Sequence, residues 1–256
     1  AGGTTGAARV AKAAADGHTI LVHQLALAIS NALYPTLNFQ ATTDFEPIAL
    51  VNHSPIIVVA RNSLPAKNVS ELKAYGAANP ISFAHAGVGS MAHLCGVVFT
   101  NTLGLNAKQV AYRGGGPALN DIAAGHVDLF CSSAQTAIPL INGGNMRGIG
   151  VTAAEPTTTN PPAESLVKHP AAGKAMDFTF WQIMVAPKGT PAPVITKLND
   201  AVRQALADPG IAEKFKAGGV SAYAGEQLTP QFAKTFFLSE AARWTEVVRK
   251  NNITTK

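Results

Sequence analysis

Three stretches place glycines immediately ahead of helical patterns: Gly2-Gly3-Thr4-Thr5-Gly6, Gly87-Val88-Gly89-Ser90 and Gly114-Gly115-Gly116-Pro117. Such a loop lets backbone N–H groups close in on an anion, and the helix start adds roughly half a positive charge. Each contact is worth about 0.3–1 kcal/mol when exposed and up to about 2 when buried. Several converging in a dry cleft hold a carboxylate without an arginine. A tight strand–helix turn with no ligand is the plainer reading, and it is preferred for the first and third stretches. Gly87–Ser90 is read as an anion site.

Other chemistries fit less well. Gly87-x-Gly89-x-x-Ala92 also matches a dinucleotide fingerprint, GxGxxA. The next strand ends at Tyr112-Arg113, with no acid for a ribose but an arginine able to meet a 2′-phosphate. An NADP-dependent oxidoreductase built on the Gly87 loop is therefore the enzyme alternative. Ser90 has His85 and His93 near it in sequence but no acid to orient a base, so it reads as a helix cap or ligand donor. Gly-x-Ser-x-Gly, HExxH and a Walker loop are absent. His93-x-Cys95 and His126-x4-Cys131 match no zinc spacing. Asp121 and Asp128 pair with no second acid, and Phe180 and Trp181 read as core or hinge residues. The chain is read as a non-enzyme with no catalytic residue, metal or cofactor.

The elements that must carry this loop alternate. Strands are predicted at Thr19–His23, Ile56–Ala60, Ile81–Ala84, Val110–Tyr112, Val127–Cys131, Arg147–Val151 and Phe180–Ala186. Helices are predicted at Leu25–Leu33, Val69–Ala78, Ser90–Leu103, Pro117–Ala124, Ala134–Ile141, Ala192–Ala207, Gly210–Ala217 and Pro230–Asn251. Pro117 is placed at the first position of its helix. Ala153–Pro170 reads as a polar surface loop. The alternation predicts an α/β fold with mainly parallel sheets.

Bulk composition agrees. With 256 residues, 47% apolar and 14% charged, the chain can bury a sizeable core. Its net charge of +5 is spread rather than blocked, which suits an anionic small ligand and not nucleic acid. No run of 18 apolar residues occurs. The two cysteines, Cys95 and Cys131, fit one disulfide or two buried thiols equally well. The start, Ala1-Gly2-Gly3, reads as the middle of a loop, and no signal-peptide pattern is visible.

Several segments, in order, resemble the Bug-type periplasmic solute-binding proteins of the tripartite tricarboxylate transporter family. Ala15–Leu21 (ADGHTIL) resembles its DGYTLL segment, and Asp44–Ile48 looks like its DFEPI element. His85–Ser90 (HAGVGS) is similar to SPGVGS, and Ala111–Ala118 with Gly125–Leu129 to PYRGGAPA…GQVDL. Ala186–Pro191 is similar to APAGTP, whereas Pro162–Leu166 matches the family's PTLAE loop only loosely.

The resemblance implies a two-lobed periplasmic binding protein fold of type II, each lobe a mainly parallel sheet flanked by helices. The ligand would lie in the interlobe cleft, and the lobes would close on it like a hinged clamp. The expected lobes are 1–80 plus 187–256, apparently lacking a first strand and helix, and 81–186 including the crossover strands. A small carboxylate would be captured and handed to membrane permease subunits, the receptor acting as a monomer. A sensing module for a membrane kinase is the alternative use of the same fold. Carried over by position, the pocket would include His23, Gln24, Ala86, Gly87, Gly89, Ser90, Ser132 and Ser133. His93, one turn beyond Ser90, would face the ligand or pack. The family often has aspartate at the position of Ser132. Serine cannot pair with an ammonium, which favours a dicarboxylate or aromatic carboxylate over an amino acid. A periplasmic location also implies a Cys95–Cys131 bridge, from a first helix turn to a strand end.

Overall fold

The computed structural model describes residues 3–155 and 159–254. Gly2 of the first glycine stretch and residues 156–158 of the proline-rich loop lie outside the described residues. In chain order the first half contains α1 (Thr4–Ala11), β1 (Leu21–Gln24), α2 (Leu25–Ala28), α3 (Ser30–Leu33), β2 (Phe45–Ser54), β3 (Ile56–Ala60), α4 (Val69–Ala78), β4 (Ile81–His85), α5 (Met91–Leu103), β5 (Ala107–Ala111) and α6 (Gly115–Ala124). The second half contains β6 (Leu129–Ser133), α7 (Ala134–Asn142), β7 (Arg147–Val151), β8 (Glu164–Ser165), β9 (Phe180–Pro187), α8 (Ala192–Leu206), α9 (Pro209–Ala217), β10 (Ser221–Ala222) and α10 (Pro230–Lys250). Short 3-10 turns cover Gly173–Met176 and Gly225–Leu228.

The chain divides into two units, Ala1–His53 with Trp181–Lys256, and Ser54–Phe180. This corrects the expected boundary at residue 80. β3 belongs to the second unit because all five of its residues are buried between β6 and β7, in the interior of the sheet. Likewise β9 pairs with β1 in the first unit rather than closing the second.

The second unit is a six-stranded sheet in the order β5-β4-β6-β3-β7-β8. β4 runs parallel to β5 and β6, and β7 parallel to β8, but β3 is antiparallel to both its neighbours. The parallel expectation therefore holds for the β5-β4-β6 part that carries the Gly87 loop. Asp128 ties this part together: its carboxylate accepts from Arg61 Nε, Ser82 N–H and Ser82 Oγ, each at 2.7 Å. Burial pushes Asp128 up, but these bonds outweigh it and hold the carboxyl below its ordinary value. Gly150 lets β7 pack closely, since a Cβ there would meet Leu166 Cδ2 at 2.5 Å.

The first unit is built on a four-stranded sheet in the order β1-β9-β2-β10, with β1/β9 and β2/β10 antiparallel. The single helix expected over Leu25–Leu33 is broken at Ile29, where the Ser30 hydroxyl donates to the Leu27 carbonyl at 2.8 Å. β2 lacks a clear strand pattern, because Glu46, Pro47 and Asn52 interrupt the apolar run around its buried Ile48-Ala49-Leu50 centre. α10 presents Phe237, Ala241, Trp244 and Val248 to the core at helical spacing. On its flank Glu240 accepts from the indole N–H of both Trp181 (3.0 Å) and Trp244 (3.1 Å). Phe236 and Phe237 meet the Trp181 ring edge-on at 5.3 and 6.3 Å.

Replacing Glu240 by alanine strands two buried indole donors, each at about 1–3 kcal/mol. We expect Glu240→Ala to lower unfolding free energy by roughly 2–5 kcal/mol in urea titrations. Glu240→Gln, which keeps an acceptor oxygen, should recover part of the loss.

Candidate functional site

β4 and β6 run parallel as neighbours, with Phe83 opposite Leu129 and Ala84 opposite Phe130, so their carboxyl ends lie on one edge of the sheet. In open α/β sheets that edge is where ligands bind. β4 leads into the loop Ala86–Ser90 and then α5; β6 leads through Ser132 and Ser133 into α7. Seven of the nine expected ligand residues are thus on or next to one sheet edge.

The loop's shape comes from its glycines. Gly87 (φ 106°) and Gly89 (φ 76°) adopt a region that residues with a Cβ rarely enter. Ser90 is the N-cap of α5, its Oγ accepting the His93 N–H at 3.2 Å, which fits the cap reading. Two amides of the loop are turned inward. Gly89 N–H donates to His93 Nδ1 at 3.3 Å, and Ser90 N–H donates to the Gly87 carbonyl at 3.1 Å. The Met91 and Ala92 amides, at the first two helical positions, have no acceptor within the helix.

Beneath the loop sit two histidines, 3% (His85) and 7% (His93) exposed, with ring centroids 4.5 Å apart. Burial, and then His85, push His93 down to about 4. Burial also lowers His85, partly opposed by the Gly87 backbone. Both rings are neutral near pH 7. Because His93 Nδ1 accepts from Gly89, its neutral ring carries the proton on Nε2. His85 Nδ1 is buried and has no hydrogen-bond partner. Reading His85 and His93 only as neighbours of Ser90 missed this pairing, although a strand-end histidine eight residues before one in a first helical turn was its visible signal.

On β6, Ser132 is buried and its Oγ donates to the Ser133 carbonyl at 3.3 Å. Ser133 is the N-cap residue of α7, its Oγ 3.2 Å from Thr136 Oγ1. The Cys95–Cys131 disulfide is formed, with Cα atoms 6.2 Å apart. Cys95 is the fifth residue of α5 rather than in its first turn, and Cys131 is the middle residue of β6 rather than at its end.

The remaining two candidates, His23 and Gln24, end β1 in the first unit. Gln24 Oε1 accepts the Ala26 N–H at 3.1 Å and caps α2, leaving its amide nitrogen as a donor. His23 Nδ1 lies 2.9 Å from the Gln24 N–H and 3.2 Å from the Gln24 carbonyl, accepting from the first or donating to the second according to its tautomer, and its Nε2 lies 2.3 Å from where a Cβ on Gly3 would be. Burial lowers the His23 pKa, opposed by the Gln24 and Gly3 backbone. His23 is therefore held by backbone on both sides.

The other glycine stretches behave as turns. Gly3 is the left-handed N-cap of α1, and Gly6 lies inside that helix. α6 starts at Gly115 after Gly114 (φ 124°), so Pro117 is its third residue, not its first. A groove of about 490 Å³ in the first unit, between the Asp16–His18 turn and the Val194–Leu198 face of α8, contains none of the candidates. Asp121 is engaged by Tyr112 Oη at 2.6 Å and by His126. Among the described residues, no group of three or more His, Cys, Asp or Glu could hold a metal ion.

Two α/β units and a glycine-lined helix start at the strand ends are features of a periplasmic binding protein. The chain superposes on the periplasmic binding protein BugD with a TM-score of 0.93 at 32% identity, covering 99% of this chain and 85% of that one. MatC from Rhodopseudomonas palustris, with bound malate, gives 0.89 at 32% identity, covering 97% and 85%. A further R. palustris protein with adipate gives 0.88 at 28% identity, covering 98% and 84%. Residues 1–253 match the tripartite tricarboxylate transporter family receptor, TctC, and the chain belongs to that family. Its relatives are binding proteins, not enzymes, which sets aside the NADP reading of the Gly87 loop. No helix among the described residues is long and apolar enough to cross a membrane.

The disulfide closes a loop between residues 36 apart in sequence. Its removal should cost about 2–5 kcal/mol. We expect the Cys95→Ala/Cys131→Ala variant, or the reduced protein, to unfold at correspondingly lower denaturant concentration.

Proposed function

We propose that this protein is a periplasmic receptor that captures a small carboxylate and delivers it to the permease subunits of a tripartite transporter, acting as a monomer. The observation that carries this reading is the glycine-shaped start of α5. It joins two positive-φ glycines and a serine cap to the Ser132–Ser133 strand end on the same sheet edge. None of these residues is charged at pH 7, so recognition rests on backbone amides, hydroxyls and the helix dipole. Malate and adipate in the related structures are both dicarboxylates. Ser132 stands where an acid would be needed to hold an ammonium, which favours dicarboxylates and aromatic carboxylates over amino acids. The disulfide suits an oxidising compartment. Gly87, Gly89, Ser90, Ser132 and Ser133 are assigned to the ligand, with Ala86 shaping the loop. His23 and Gln24 are assigned as the first unit's contribution, Gln24 through its amide nitrogen.

A thermal-shift series with malate, adipate, benzoate and glutamate tests this. Ligand at about 100 times its Kd should stabilise by roughly 2.7 kcal/mol. A shift with at least one acid lacking an amino group is expected; no shift with any carboxylate would remove the reading. Gly89→Val forces a β-branched residue to positive φ and should abolish the shift. Retained binding would move the anion site elsewhere. Ser132→Asp should weaken malate binding and improve that of glutamate; no change in their ratio would remove the ranking of acids over amino acids.

A further inference from the structure

Resting on the carboxylate reading above, we propose that His93 couples ligand capture to the uptake of one proton. Gly89 N–H, in the positive-φ loop ahead of α5, donates inward to His93 Nδ1 at 3.3 Å instead of facing outward. Imidazole accepts at Nδ1 only while that nitrogen is unprotonated. A proton arriving there forms an N–H that faces the Gly89 N–H donor to donor. The amide is then released toward the ligand, and a positive charge lies beneath the loop. The balance is protein plus carboxylate plus one solvent proton, giving a complex with His93 as imidazolium. Anion and proton therefore favour each other, and the coupling is reciprocal.

The surroundings of His93 are suited to this. Its ring lies against that of His85, centroids 4.5 Å apart, whose Nδ1 is buried without a side-chain partner. The elements packed on α5 are β4, β5, β6 and the Gly173–Met176 turn. Their titratable or charged groups are His85 on β4, Lys108 on β5 and Lys174 on the turn; Cys131 on β6 is locked in the disulfide. Of these, His85 is the one whose charge acts on His93. Only burial and His85 act on His93 in the empty protein, and both oppose its charge, so a bound ligand would supply the anion that favours it.

In the empty site His93 is held near 4 and is neutral across the range from pH 6 to 8. An anion that restores it to about the ordinary 6.5 makes affinity about fourfold higher at pH 6 than at pH 8. The sign follows: the bound state takes more protons, so affinity falls as pH rises and levels off above the bound-state pKa.

Isothermal titration of malate and adipate at pH 6, 7 and 8, in two buffers of different ionisation enthalpy, tests the proposal. The expected result is about a fourfold weakening from pH 6 to pH 8, with uptake of most of one proton at pH 6. His93→Asn keeps an acceptor oxygen for Gly89 N–H but cannot titrate, so it should bind with no pH slope and no proton uptake. Wild-type binding with a flat affinity and no proton uptake overturns the coupling while leaving the carboxylate reading intact. A slope that survives in His93→Asn assigns the proton elsewhere and also overturns it. If neither acid binds, the titration is run with whichever carboxylate gave a thermal shift, and the same outcomes decide; no shift with any carboxylate removes both readings together. If the variant does not fold, NMR titration of the His93 ring with and without malate decides: a pKa raised by ligand supports the coupling, and an unmoved one overturns it.

Discussion

A backbone amide holds an anion well only when it is fixed before the anion arrives, and the second unit is organised around fixing the start of α5. The parallel pairing of β4 with β6 puts the Gly87 loop and the Ser132–Ser133 turn on one edge. The Cys95–Cys131 bridge then links the second turn of α5 to the centre of β6. On the far side Asp128 locks the start of β6 to β4 through Ser82 and to the end of β3 through Arg61. The loop is thus braced from helix and strand at once.

The same bracing buries two imidazoles, which has a thermodynamic consequence. A histidine whose folded pKa lies below 6.5 binds fewer protons in the fold than in the unfolded chain. For His93 the difference spans the interval from about 4 to the ordinary histidine value, so stability present at neutral pH is lost as pH falls through it. His85 and His23 shift in the same direction, for the same leading reason. Burial therefore keeps all three imidazoles resistant to protonation.

Much of the fold was readable from periodicity. β3, α4 and β7 lie where their apolar runs and breakers put them, and α10 follows its aromatic spacing closely. What periodicity could not give was partnership. β3 reads the same whether it belongs to the segment before it or after it, and only pairing with β6 and β7 assigns it to the second unit. β2 was obscured by polar residues and a proline in a strand whose centre is buried. At the site, the positive-φ glycines and the Ser90 cap were legible because glycine and serine have narrow local uses. The His93–Gly89 bond was not, since either ring nitrogen can accept or donate and residue type alone does not say which faces the loop amide.

A similar device recurs in the first unit. His23 Nδ1 lies against the Gln24 backbone, and its ring lies against Gly3, another positive-φ glycine. In both units an imidazole with a lowered pKa lies against backbone beside a positive-φ glycine. An aspartate would accept the same hydrogen bond more strongly. It would also place a fixed negative charge close to an incoming carboxylate, and two like charges about 4 Å apart repel by about 4 kcal/mol at an effective dielectric of 20. Histidine is the one side chain that accepts an amide while uncharged near pH 7 and can become a cation when an anion arrives. Histidine at 93 thus satisfies the Gly89 amide without a fixed negative charge, as the proposed carboxylate site requires.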